Sequence, residues 1–150
     1  MTKYLIVLML YFFSIGLAQE EKKARPKRYT GVGLFDHKTG LSIFGNTWAL
    51  YQTNQHEIFA GLGIMPAGTL SLGWKYYMNE GPIEYYSVIS VQQINAMGGE
   101  VVAPYLSIGG EKKITKKLYL NLGISTVVRL YSDLNTNIVP FPAMNISWRK

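Results

Sequence analysis

Thr69-Leu70-Ser71-Leu72-Gly73-Trp74-Lys75-Tyr76-Tyr77-Met78 alternates without a break. Leu70, Leu72, Trp74, Tyr76 and Met78 fall on one side of an extended chain, and Thr69, Ser71, Gly73, Lys75 and Tyr77 on the other. Successive side chains of a β-strand point to opposite faces, so the stretch carries one apolar and one mainly polar surface. Lys117 to Tyr131 repeats the pattern, with Leu118, Leu120, Leu122, Ile124, Val128 and Leu130 opposing Lys117, Asn121, Gly123, Ser125 and Arg129.

Working outward from these two, six further runs follow the same period more loosely: Tyr29 to Asp36, Leu41 to Tyr51, His56 to Ile64, Pro82 to Ile94, Val101 to Glu111 and Asn137 to Trp148. Clusters of Gly, Asn, Asp and Pro separate them, and no long segment has helical period. Eight runs with hairpin-sized connections predict an all-β fold, an antiparallel up-and-down barrel. Pro140 and Pro142 interrupt the last run, as a bulge or an irregular edge would.

Alternation alone leaves open which face is inside. A soluble barrel of lipocalin type turns its apolar set inward, whereas a membrane barrel turns it toward lipid and fills its interior with polar groups. Gly33, Gly61, Gly63, Gly73, Gly109, Gly123, Ser71, Ser107, Ser125 and Ala103 on the polar faces suit a narrow, crowded interior. Bulky apolar faces with Tyr76, Tyr85, Tyr131 and Trp148 near run ends suit a membrane interface, where a ring meets lipid and its polar edge meets water. Most runs also reach the roughly 9 to 11 residues that a tilted spanning strand needs. The expectation is therefore a transmembrane barrel with Leu70, Leu72, Trp74, Leu118, Leu120 and Leu122 facing lipid; the runner-up is a soluble exported barrel with Leu70, Leu72, Trp74, Leu120 and Leu122 lining an apolar ligand cavity.

The start of the chain reads as an address. Lys3, the apolar stretch Tyr4 to Ile15 and the small-residue site Gly16-Leu17-Ala18 form a cleavable secretion signal, residues 1–18, too short for a spanning helix. Residues 19–28 follow as a basic, flexible leader with Lys22, Lys23, Arg25, Lys27 and Arg28, which together with Glu20 and Glu21 carries half of the formal charge of +6. It reads as a solvated spacer, or as a segment touching anionic lipid headgroups. The leader has no interleaved aromatics and the chain is exported, which disfavours nucleic acid as a partner. Removing the signal leaves about 130 residues, room for one domain, 29–150. The chain contains no cysteine, which excludes disulfides, thiolate metal sites and a lipid-modified cysteine at the cleavage point.

Little in the chain points to chemistry. His37 and His56 have no second histidine at ligand spacing, so no metal or cofactor is expected. Asp36 with His37, and His56 with Glu57, are adjacent pairs whose side chains diverge on a strand. Ser71 and Lys75 share a face but stand about 13 Å apart, beyond the reach that nucleophile activation needs. Gly31-Val32-Gly33 and Gly61-Leu62-Gly63 have no following helix to receive a phosphate. The charged residues read instead as an interior network of Lys75, Glu84, Glu111 and Arg129, which Glu57 could extend. With a two-residue turn at Asn79-Glu80, Lys75 falls opposite Glu84; with a three-residue turn that direct pairing is lost. Paired charges in a narrow lumen favour a closed interior over a pore.

The signal, the eight runs and the terminal stretch Met144-Asn145-Ile146-Ser147-Trp148-Arg149-Lys150 resemble the small eight-stranded outer-membrane barrels of the outer membrane protein A and X type, over Tyr29 to Lys150. That resemblance implies an outer-membrane location, membrane lipid as surroundings and the barrel-assembly machinery as partner. It transfers no catalytic residue. Members of that class end in an aromatic residue, whereas here Arg149 and Lys150 follow Trp148. With the first strand starting in the periplasm, the outer connections are His37 to Gly40, Met65 to Gly68, Asn95 to Glu100 and Ser132 to Thr136. They are too short to offer an adhesin or receptor surface. A structural or general envelope role is expected; an envelope lipid-modifying enzyme is the third reading, and the sequence leaves oligomeric state open.

Overall fold

The computed structural model describes residues 27–96, 99–130 and 136–149. The signal, most of the leader, Tyr131 and Lys150 lie outside the described residues, as do parts of the connections assigned to Asn95 to Glu100 and Ser132 to Thr136. Eight strands follow one another: β1 (Arg28–Leu34), β2 (Ser42–Gln52), β3 (His56–Pro66), β4 (Gly68–Tyr77), β5 (Ile83–Ala96), β6 (Gly99–Lys113), β7 (Leu118–Leu130) and β8 (Thr136–Arg149). Each pairs antiparallel with its sequence neighbours, and β1 also pairs with β8, which closes an up-and-down barrel. Closure removes most of the open edge that a flat sheet would present. The eight runs read from the sequence are these eight strands.

The period of two is expressed as an inversion of the usual soluble pattern. Leu62, Leu70, Leu72, Ile89, Ile108, Leu122 and Ile124 are exposed on the outer wall. Ser71, Lys75, Ser90, Gln92, Ser107, Glu111, Asn121, Ser125, Asn145 and Ser147 are buried within. The buried apolar cluster is small by contrast: Phe59, Tyr77, Tyr86 and Val88. Burial alone thus assigns the polar face to the inside.

β1 is the short strand, and its length explains the prolines of β8. Leu34 pairs with Met144, so β8 before Met144 has only β7 beside it in the register. The Arg149 amide donates to the Lys117 carbonyl, toward β7, at 2.9 Å. By alternation the even-numbered residues of β8 direct their backbone groups to the other side. Pro140 and Pro142 therefore sit where an N–H would aim past the end of β1. They cost the ladder no hydrogen bond, and they make the free edge a poor template for another strand. No bulge is needed, and pairing with β7 runs in one register from Leu118↔Trp148 to Leu130↔Thr136.

Candidate functional site: a lumen closed by its own turn

At the end of β1 the chain enters the barrel. Phe35 takes a positive φ of 54°, an uncommon conformation for a bulky residue, and reverses the backbone toward the lumen. Residues 36–40 then form a tight turn, with Asp36 N–H donating to the Gly40 carbonyl at 2.9 Å and Gly40 N–H to the Asp36 carbonyl at 2.8 Å. The Asp36 carboxylate caps it from within, accepting from the Lys38 amide at 2.7 Å and the Thr39 amide at 3.0 Å. Asp in this position organises a turn through its side chain, which is why Asp-His-Lys-Thr-Gly needs no strand partners. Gly40 has φ +68°, and a side chain there would also collide with Gln92.

The turn does not project from the barrel. Asp36, His37, Lys38 and Thr39 are each no more than 1% exposed, which corrects the expectation that His37 to Gly40 is an outer connection. The physical reason is complementarity with the strands around it. Backbone carbonyls of the turn accept from Tyr105 of β6 (Asp36 O, 2.8 Å), Gln92 of β5 (Lys38 O, 3.2 Å) and Thr69 of β4 (Thr39 O, 2.7 Å). The wall makes room as well. A methyl group at Gly31, Gly45 or Gly61 would strike Asp36 or Thr39, so glycines on three consecutive strands form the cradle.

Below the turn lies a set of charges that balances within itself. Lys38 Nζ donates to Glu57 Oε1 at 2.5 Å, and Tyr77 donates its hydroxyl to the other Glu57 oxygen at 3.3 Å. Lys75 Nζ pairs with Glu111 Oε2 at 3.0 Å, and Arg149 pairs with the same oxygen. Asp36 accepts from the Tyr29 hydroxyl at 2.9 Å. Lys38, Lys75 and Arg149 thus meet Asp36, Glu57 and Glu111 in a buried space. Aromatic faces add to the pairing: Lys75 Nζ lies 4.0 Å from the Tyr86 ring centre, and the Arg149 guanidinium lies 4.0 Å from that of Tyr119. Ions removed from water lose several kcal/mol each, and only close pairing with further donors offsets that loss.

His37 joins the turn to this network. Its Nε2 stands 3.1 Å from Lys75 Nζ, and its Nδ1 stands 3.3 Å from the Tyr29 hydroxyl. A lysine ammonium can only donate, so Nε2 is the acceptor and the imidazole is neutral in this arrangement.

The network expected from sequence is thus placed in part. Lys75 and Glu111 come together. Glu84 does not face Lys75, because Lys75 pairs in register with Val88 and Tyr77 with Tyr86. The β4–β5 connection is longer than the two-residue turn considered above. Asn79 organises it by accepting from the Tyr85 amide at 2.7 Å and donating to the Ile83 carbonyl at 3.0 Å. Glu84 is half-buried at the start of β5, in register with Glu111. The Arg129 side chain lies outside the described residues. Asp36, His37, Lys38 and Arg149 belong to the network as well, beyond the members expected from sequence. Arg149 had a signal, since Ala143, Asn145 and Ser147 share its parity and all are buried.

On the outer wall, Leu70, Leu72 and Leu122 are exposed, and Trp74, Leu118 and Leu120 half-buried. Trp74 stacks on His56 at 5.6 Å between ring centres and donates its indole N–H to His56 Nδ1 at 3.2 Å. Trp48, Trp74, Tyr76, Tyr85 and Trp148 all lie toward the end where β1 begins and β8 finishes. No protein-family model, curated protein or solved structure matches the chain. Its eight-stranded closed barrel agrees in architecture with the outer-membrane class that the sequence resembles.

Proposed function

We propose that the chain is a small outer-membrane β-barrel of structural or general envelope role, with its outer wall in lipid and its lumen filled by its own turn. The observation that carries this reading is the inversion: large aliphatic side chains cover the outside while lysine, glutamate, asparagine and serine fill the inside. Water-soluble monomers rarely expose a contiguous apolar patch beyond a few hundred Å². A continuous aliphatic wall is favourable only against lipid or another apolar surface. The aromatic residues gathered toward one end of the wall fit an interface with headgroups.

A soluble ligand-binding barrel is disfavoured by the same side chains. Leu70, Leu72, Trp74, Leu120 and Leu122 would have to line a cavity, and they point outward instead. The buried turn also leaves the lumen little room for conduction, so the closed reading is kept over a pore. In the proposed setting, membrane lipid surrounds the barrel and the barrel-assembly machinery inserts it.

Fractionation tests the proposal. The mature chain should pellet with outer membranes, resist extraction by high salt or carbonate, and enter solution only with detergent. Folded protein in the soluble fraction without detergent would refute it.

A further inference from the structure

The end of the barrel where β1 begins and β8 finishes carries an arc of basic side chains that the lumen network does not use. The β6–β7 hairpin reads Lys112-Lys113-Ile114-Thr115-Lys116-Lys117, and all four lysines are exposed. Its turn is well held: Ile114 N–H donates to the Leu118 carbonyl at 2.9 Å, and the Thr115 hydroxyl accepts from the Leu118 amide at 3.2 Å. The Lys117 carbonyl accepts from Arg149 of β8, and the Lys27 carbonyl just before β1 accepts from Ala49 of β2. Because β8 lies between β7 and β1, Lys27 and Arg28 continue the arc around the rim. Among the described residues, the acidic side chains at this end are Glu57 and Glu111, which are buried in the lumen network, and Glu80 and Glu84, so basic charge predominates on the outside of the rim.

A second feature sits directly below on the wall. Trp148 is exposed between Leu118 of β7 and Thr30 of β1. Trp48 lies under the Arg28 guanidinium at 5.9 Å. Lys112 is flanked in register by Ile83 and Leu120, an arrangement in which its stem follows apolar surface while its ammonium reaches the rim. Indole rings at headgroup depth beneath a row of ammonium groups match a lipid that is apolar in its tails and negative at its phosphate.

We infer that the arc formed by Lys112, Lys113, Lys116 and Lys117 with Lys27 and Arg28 binds the headgroups of anionic phospholipid in the leaflet that surrounds this end. The site rests on the membrane reading above. Anionic lipid is thereby enriched next to the β6–β7 hairpin, and its headgroups hold the hairpin end of the barrel at the interface.

The test is reconstitution of the full chain into phosphatidylcholine vesicles with and without roughly a quarter phosphatidylglycerol, followed by gentle extraction and measurement of the lipid that stays bound. The expected result is insertion into both membranes and a bound fraction enriched about threefold or more in phosphatidylglycerol, since each basic group near an anionic surface favours partitioning about fivefold. A variant with Lys112, Lys113, Lys116 and Lys117 all changed to Gln should insert and lose most of the enrichment, and one that also carries Lys27→Gln and Arg28→Gln should return to the bulk ratio. A leader variant with Lys22→Gln, Lys23→Gln and Arg25→Gln should keep the enrichment. Loss with the leader variant alone, or enrichment unchanged by the hairpin variant, overturns the site.

Salt gives a measurement that needs no variant. Raising it from about 0.1 M to about 1 M shortens the screening length from about 10 Å to about 3 Å and should abolish the enrichment while the barrel stays inserted. Enrichment that survives high salt counts against the site. A chain that binds anionic vesicles but remains wholly open to protease and never enters phosphatidylcholine overturns the membrane reading while retaining the headgroup contact. A chain that inserts without enrichment does the reverse, and one that neither inserts nor binds overturns both.

Discussion

The β1–β2 and β3–β4 connections leave the same end of the barrel and meet opposite fates. β3 ends at Pro66 and β4 begins at Gly68, so a single residue turns the chain at the rim. Between Leu34 and Ser42 the chain spends residues 35–41, and most of them are buried in the lumen. Length alone does not explain the difference, because a longer polar turn would ordinarily lie in solvent. The deeper turn is held by partners on strands distant in sequence, and glycines clear its path. One connection closes a hairpin; the other completes the interior.

The sharpest way to break this contrast is Lys38→Met. The substitution leaves Glu57 buried without its cation, and it should lower stability by about 3 to 5 kcal/mol, measured by urea unfolding of the barrel in detergent micelles. Adding Glu57→Leu should restore much of that loss, because a missing pair costs less than a half pair. Next in size is Gly45→Val, which pushes into Asp36 and Thr39 and should cost about 1 to 3 kcal/mol by the same measurement. Thr69→Val removes the donor to the Thr39 carbonyl, for about 1 kcal/mol. The smallest effect belongs to the rim: a side chain at Gly68 would meet Asn95 only at 3.8 Å, so Gly68→Ala should change stability by less than about 0.5 kcal/mol. If Gly45→Val proved as mild as Gly68→Ala, the turn would not be seated as described.

Much of the fold was legible because the period of two survives in nearly every strand, and Thr69 to Tyr77 shows it without exception. Two things were hidden for physical reasons. The β4–β5 register depends on Asn79 bonding to backbone groups several residues on, and a count of turn residues cannot reveal that. The buried turn was hidden because Asp36-His37-Lys38-Thr39-Gly40 has the composition of a solvated loop. Its burial is decided by Glu57, Thr69, Gln92 and Tyr105, which are distant in sequence and converge only once the barrel closes. Arg149 could have been assigned inward by extending the parity of Asn145 and Ser147 by one step.

The central claim, that the outer wall lies in lipid, is open to a direct measurement because the chain has no cysteine of its own. Nitroxide labels placed singly by Leu106→Cys, Ile108→Cys, Leu122→Cys and Ile124→Cys would sit mid-wall on β6 and β7, with Lys116→Cys as a rim reference. In vesicles, the four wall labels should collide often with oxygen, which concentrates in the bilayer, and seldom with a water-soluble nickel chelate, while the Lys116→Cys label should do the opposite. Wall labels as open to the nickel chelate as the rim label would contradict the account.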